Sequence, residues 1–155
     1  MRKTFAKKTV RLKKEDQTKA MSVMAWVEDP FGRVLMVKQA YNKKLWAMPG
    51  GKVERSETLM NALKREVLEE TGHRVAYAYP IDIFDRADKG VLTILYRVIL
   101  KLKSSKGPSV KPDPSEISNL GYHMKLPSPA TPSARFFWKR ALTSFGPLPM
   151  IQKVD

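Results

Sequence analysis

A pair of glycines followed by an ordered run of acids constrains this 155-residue chain more than any other feature. From Gly51 there are five residues to Glu57, seven more to Arg65 and Glu66, and then Val67, Leu68, Glu69, Glu70, Thr71 and Gly72. The stretch from Thr58 to about Thr71 predicts one helix, because Leu59, Ala62, Leu63 and Val67 fall at i, i+3, i+4 and i+8 and form an apolar stripe. Glu66, Glu69 and Glu70 then stand at i, i+3 and i+4, which gathers their carboxylates on one side of the C-terminal half. Like charges so close together, next to the negative end of the helix dipole, are unfavourable on both counts. A solvated acidic face would account for neither the paired glycines nor the fixed offsets of Glu57 and Arg65.

A divalent cation removes both penalties. Carboxylate oxygens are ligands of hard cations such as Mg2+ or Mn2+, which keep part of their water shell and bind phosphates as well. A turn at Gly50-Gly51, after Pro49, would let the backbone approach closely, so that a carbonyl at Gly50 completes the ligand set.

The stretch from Pro49 to Gly72 resembles the Nudix box of MutT-like nucleoside diphosphate-X hydrolases. It covers under a sixth of the chain, and its flanks agree with it: a strand over Met21 to Glu28, the turn Asp29-Pro30-Phe31-Gly32, a strand over Arg33 to Gln39, and Leu45-Trp46-Ala47-Met48-Pro49 before the glycines. The resemblance implies that Glu69 and Glu70 are metal ligands and that Glu66 is a ligand or the base that deprotonates water. It further implies that Arg65 holds a catalytic carboxylate in place, with Gly51, Glu57 and Gly72 in support. Two positions depart from the pattern. His73 stands where the family prefers an aliphatic residue, and Ser56 replaces a frequent glycine; both are expected to alter packing rather than activity. A further ligand is expected from Glu116, six residues before Tyr122, with Asp113 the weaker candidate; a lone glutamate is as often a solvated loop residue.

The chemistry implied is displacement at phosphorus by water, splitting a diphosphate linkage with no covalent enzyme intermediate. Cations would neutralise phosphate oxygens and lower the pKa of the attacking water. With no cysteine in the chain, thiol nucleophiles and Cys-based metal sites are excluded. The same absence argues against the isoprenoid isomerase branch of the superfamily.

At 43% hydrophobic content the chain suits one domain with a full core, expected over residues 21–146, preceded by a basic arm over 1–20 and followed by a tail over 147–155. No apolar run reaches the length of a membrane span, and the N-terminus lacks the apolar stretch of a secretory signal, so no membrane partner and a cytoplasmic location are expected. Beyond the box, Val75 to Phe84 and Val91 to Leu102 read as strands joined by a polar turn from Asp85 to Gly90. Ser104 to Ser115 reads as a loop, Ile117 to Met124 as a strand, and Ser133 to Ser144 as a helix stopped by Gly146-Pro147; a short strand is expected near Thr9 to Leu12. Phe136, Phe137, Trp138, Ala141 and Leu142 form an apolar cluster suited to core packing or a dimer contact, leaving monomer and homodimer both open. The order of elements suits the fold that the resemblance implies, an α/β/α sandwich with a mixed β-sheet between helices.

The formal net charge is +14. From Met1 to Lys19 eight Lys/Arg stand against two acids, and from Arg97 to Lys111 there are five basic residues and no acid. Such blocks attract polyanions, RNA among them, and concentrate phosphorylated substrates; ordinary solubilising charge explains them equally well. Trp46, beside the glycines, is a candidate for lining a nucleobase pocket or for packing. Three readings follow: a hydrolase of small nucleotide derivatives, the same chemistry on RNA 5' ends, and a non-catalytic nucleotide or RNA binder. The third ranks last because every acidic position of the box is intact.

Overall fold

Strand alternation decides which side of the molecule each helix covers. The structure, a computed structural model, describes residues 18–41, 43–101 and 111–144. Its strands are β1 (Ala20–Trp26), β2 (Val34–Gln39), β3 (Trp46–Ala47), β4 (Gly50–Lys52), β5 (Val75–Arg86), β6 (Val91–Leu100) and β7 (Ile117–His123). Its helices are α1 (Leu59–Thr71) and α2 (Pro132–Ser144). Four strands make a mixed sheet in the order β4-β1-β6-β5, in which only β1 and β6 run parallel. The other three make an antiparallel sheet in the order β3-β2-β7. Backbone bonds from Leu35 N–H to the Val27 carbonyl (2.9 Å) and from Ala25 N–H to the Pro49 carbonyl (2.8 Å) tie the two together.

Successive side chains of a strand point to opposite faces, so a strand buried on both sides supplies two cores. Val23, Ala25, Leu35, Ile94, Tyr96 and Val98 pack with Ala62, Leu63 and Val67 of α1. The intervening Trp26, Met36 and Leu95 pack with Ala134, Phe137, Trp138 and Ala141 of α2. The expected α/β/α sandwich is therefore observed. Burying Phe137 in full is worth roughly 1.5–3 kcal/mol. Trp138 leans on Trp26 with ring centroids 5.5 Å apart, and Phe136 stacks on Phe84 of β5 at 4.0 Å. The one polar residue buried in the middle of β6, Thr93, is satisfied across the ladder by the Ser22 hydroxyl at 2.7 Å.

Two local expectations need correction. Gly50-Gly51 is not a turn but the start of β4, paired antiparallel with β1 through Met24↔Gly50 and Val23↔Gly51. The segment from Asp85 is not all turn either: β5 continues to Arg86, and only Ala87–Lys89, a single 3-10 turn, joins it to β6. Pro80 is tolerated because β5 is an edge strand, bulged between Pro80 and Asp82, where a missing N–H leaves no ladder partner unsatisfied. Helix α2 starts at Pro132, one residue before the expected Ser133. The expected strand at Thr9 to Leu12, the end of Val91 to Leu102, most of the loop from Ser104, the Leu142 side chain and the tail lie outside the described residues. Among the described residues no helix is long and apolar enough to cross a membrane.

Candidate functional site

The ends of α1 are set by its own sequence. Thr58 is the N-cap, its hydroxyl accepting from the Asn61 N–H at 3.2 Å, and Gly72 closes the helix in the left-handed region at φ 70°, its N–H on the Leu68 carbonyl at 2.8 Å. Thr58 and Gly72 thus fix where the acidic face of α1 begins and stops. His73 follows with its Nδ1 2.7 Å from the Thr71 carbonyl, a local contact consistent with a role in packing.

Arg65 organises the face. Its Nε and Nη2 donate to the two oxygens of Glu57, both at 3.0 Å; Nη1 donates to Glu66 at 2.8 Å and to Glu69 at 3.4 Å; Nη2 also reaches the Lys52 carbonyl at 3.1 Å. This bidentate fork joins the loop before the helix, the helix and β4 at one guanidinium. The hydrogen bonds with Glu57, then those with Glu66, raise the Arg65 pKa further, and the same pairing holds the Glu57 carboxyl below its usual range. Glu57 also accepts from the Glu54 N–H at 3.1 Å, which pins the loop.

Glycines admit β4 to this face. A Cβ on Gly51 would lie 2.6 Å from the Cδ of Glu66, so glycine lets the strand pass without displacing the carboxylate. Gly50, at φ 148°, could not take a Cβ either, for that atom would fall 2.8 Å from the Met24 Cα. Its N–H donates to Glu70 at 2.8 Å. Among the described residues that is the single hydrogen bond to Glu70, and burial pushes this carboxyl up to about 8, against the pull of the Gly50 N–H and with the charges of Glu66, Glu116 and Glu69 adding to the rise. Burial likewise raises Glu66, opposed by Arg65 and reinforced by Glu69 and Glu116.

Glu116 is brought in from the far end of the chain. Its carbonyl accepts from the Ala40 N–H at 2.7 Å where β2 meets β7, and its charge reaches Glu66, Glu70 and the Tyr41 hydroxyl. Asp113 plays a different part. It accepts from the Ser115 N–H and hydroxyl, both at 2.8 Å, and its carbonyl takes the Glu116 and Ile117 N–H groups, so it shapes the turn that presents Glu116. Tyr41 joins the site although no sequence pattern points to it. Burial, then the charges of Glu70, Glu116 and Glu66, raise its hydroxyl pKa, a connection made only by folding.

Trp46 is nine-tenths buried on the α2 side, with His123 edge-on at 4.7 Å and the Lys38 ammonium 5.8 Å from its ring. Register puts Lys38, Asn119, Gly121 and His123 on the same face of the small sheet. Among the described residues, His123 Nε2 is the buried side-chain polar atom without a hydrogen-bond partner.

The donor set suits a hard divalent cation: oxygens only, with the charges of Glu69 and Glu116 adding to the rise at Glu66 and Glu70, and Glu70 held by one amide. Among the described residues no three His, Asp or Glu side chains are gathered closely enough to close a coordination shell, and Arg65 and Gly50 each take one oxygen, of Glu66 and of Glu70.

An α/β/α sandwich with this acidic helix under a glycine strand defines a fold and site of the Nudix type. Residues 18–131 match the NUDIX domain model, and the chain belongs to that family. A protein named 8-oxo-dGTP diphosphatase from Buchnera aphidicola subsp. Acyrthosiphon pisum is 48% identical over 40 residues, 26% of this chain and 32% of that one. A MutT-like protein from Streptomyces ambofaciens is 33% identical over 78 residues, half of each chain. The chain thus spans 32% and 50% of the length of these two curated relatives. The crystal structure of a MutT NUDIX hydrolase from Burkholderia pseudomallei superposes with a TM-score of 0.66 at 23% identity, covering 79% of this chain and 98% of that one, a likeness of fold.

Proposed function

We propose that this chain is a divalent-cation-dependent pyrophosphohydrolase of nucleoside triphosphates, with 8-oxo-dGTP its substrate. The activity rests on one observation above all: Glu70, half-buried beside Gly50 and acted on by the charges of Glu66, Glu69 and Glu116, belongs to an acidic cluster with too few protein donors, which a cation would complete. The substrate follows the name of the Buchnera relative. Glu66, Glu69, Glu70, Glu116 and the Gly50 carbonyl would hold Mg2+ or Mn2+, which supplies neutralisation of phosphate oxygens and acidification of water. Glu66 is suited to accept the proton from water, because burial raises its affinity for one while Arg65 fixes its orientation. Glu57 keeps Arg65 in register, and Gly51 keeps the strand clear of Glu66. Trp46, Lys38, Asn119 and His123 would form the nucleobase side, the unpartnered His123 Nε2 offering a hydrogen bond to a purine edge. The working unit is taken as residues 21–146, since α2 completes the second core.

The test is product formation, resolved by anion-exchange chromatography, from 8-oxo-dGTP, dGTP and a triphosphorylated RNA (monophosphate plus pyrophosphate) and from ADP-ribose (AMP plus ribose 5-phosphate), with Mg2+ or Mn2+ and with chelator. Chelator-sensitive turnover of 8-oxo-dGTP, lost in Glu69→Gln and Glu70→Gln, is expected. Turnover of the RNA alone, for which the +14 charge argues, would replace the substrate. Undiminished turnover in Glu69→Gln would refute the site.

A further inference from the structure

Next to the acidic cluster, and sharing Arg65 with it, lies an open recess of about 270 Å3 lined by Lys64, Arg65, Leu68, Arg74, Val75 and Lys101. Three elements build it. Lys64 and Leu68 stand one turn apart on α1, Arg74 and Val75 lead into β5, and Lys101 follows β6. The Lys101 N–H donates to the Arg74 carbonyl at 2.8 Å, and Val75 pairs with Leu100, so these two cations are neighbours by virtue of the sheet.

Four of the six lining residues are cations and none is an acid. Arg65 is answered by Glu57, Glu66 and Glu69, whereas Lys64, Arg74 and Lys101 take part in no ion pair among the described residues. These three cations, gathered around a floor of Leu68 and Val75, repel one another even though they are exposed, and an anion seated among them relieves that repulsion. The volume falls just below the roughly 300–1,000 Å3 of ordinary small-molecule pockets, which fits a phosphate or diphosphate better than a whole nucleotide.

We propose that this recess is an oxyanion site, separate from the carboxylate cluster, in which Lys64, Arg74 and Lys101 bind a phosphate group, either free or as part of a polynucleotide strand. The proposal stands whether or not the chain hydrolyses nucleotides. It is tested by calorimetric titration of the full chain with inorganic pyrophosphate and, separately, with a short 5'-phosphorylated RNA. EDTA is kept present so that no divalent cation can bridge either ligand to the glutamates. Lys64→Gln, Arg74→Gln and Lys101→Gln are compared with the parent and with Lys89→Gln, at the remote β5–β6 connection. Thermal melts establish that each is folded, and Lys101→Gln, exposed at a strand end, serves if Arg74→Gln is not. Each substitution in the recess is expected to weaken binding roughly tenfold, equivalent to about 1.4 kcal/mol, while Lys89→Gln changes nothing. Binding of pyrophosphate identifies free phosphate as the source, and binding of RNA alone identifies the strand. Absence of binding to both, or equal binding by the recess variants and the parent, overturns the proposal.

Discussion

The two glycines of β4 should separate fold from site when each is replaced by alanine. At Gly50 the new Cβ would run into the backbone of β1, at the Val23 carbonyl and 2.8 Å from the Met24 Cα, and the residue would hold φ 148°. Neither obstacle can move without breaking the β1–β4 ladder. A disfavoured backbone conformation costs about 1–3 kcal/mol and overpacking roughly 1–3 more, so Gly50→Ala is expected to lose about 2–6 kcal/mol. At Gly51 the obstacle is the end of a side chain, the Glu66 carboxyl, which can swing aside. Its substitution should therefore cost less than about 1 kcal/mol in stability. It should still displace the carboxylate proposed to accept the proton by the order of an ångström, a shift that can slow turnover roughly a hundredfold. Urea denaturation of both variants, with initial rates on 8-oxo-dGTP, makes the comparison. If Gly50→Ala unfolds within about 1 kcal/mol of the parent, the close approach of β4 to β1 is misjudged. If Gly51→Ala keeps full activity, the position of Glu66 does not govern the chemistry.

Other outcomes follow from neighbouring residues. Arg65→Lys keeps the charge but not the fork that spans Glu57, Glu66 and Glu69, and should lower kcat about a hundredfold with KM little changed, measured by steady-state kinetics. In EDTA, Glu70 should make the protein less stable as pH rises from about 4.5 to about 8: the unfolded chain releases this proton near the ordinary value while the folded one keeps it. Stability present below about 4.5 is thus lost through that window, on the order of a few kcal/mol. Melting temperatures should show the slope, Glu70→Gln should flatten it, and a saturating divalent cation should raise the melting point at pH 8. Ser56, at φ 67°, sits in the left-handed region that glycine adopts freely, so Ser56→Gly should stabilise by up to about 1 kcal/mol, read by thermal melts.

Helix α1 is legible in the sequence almost to the residue because its stripe, its Thr58 cap and its Gly72 stop are all local signals. Ser56 is a second case: the sequence shows only that a frequent glycine is missing, and the positive φ supplies the physical meaning of that preference. Gly50-Gly51 misleads in the other direction, since paired glycines usually mark turns, whereas here they let an edge strand lie against β1 and under two glutamates. Arg65 is readable as the holder of one carboxylate, but its reach to three acids and the Lys52 carbonyl depends on how β4 lies over the helix. Tyr41 and the Lys38, Asn119 and His123 face come together only when β2 pairs with β7, a register no local pattern encodes.

The distribution of charge implies one further behaviour. The chain as a whole carries +14, yet its candidate centre is a knot of carboxylates whose nearest cation, Arg65, is already committed to Glu57, Glu66 and Glu69. A nucleoside triphosphate is therefore attracted at long range and repelled at short range until a divalent cation reverses the local sign. These two effects respond differently to salt. Long-range attraction is screened once the Debye length falls to about 8 Å near physiological ionic strength, whereas contacts inside a partly buried site are screened far less. Raising potassium chloride at saturating divalent cation should accordingly lower kcat/KM several-fold while leaving kcat nearly unchanged. Equal losses in both constants would mean that salt acts on the carboxylate cluster itself, and no loss in either would mean that the basic exterior plays no part in gathering substrate.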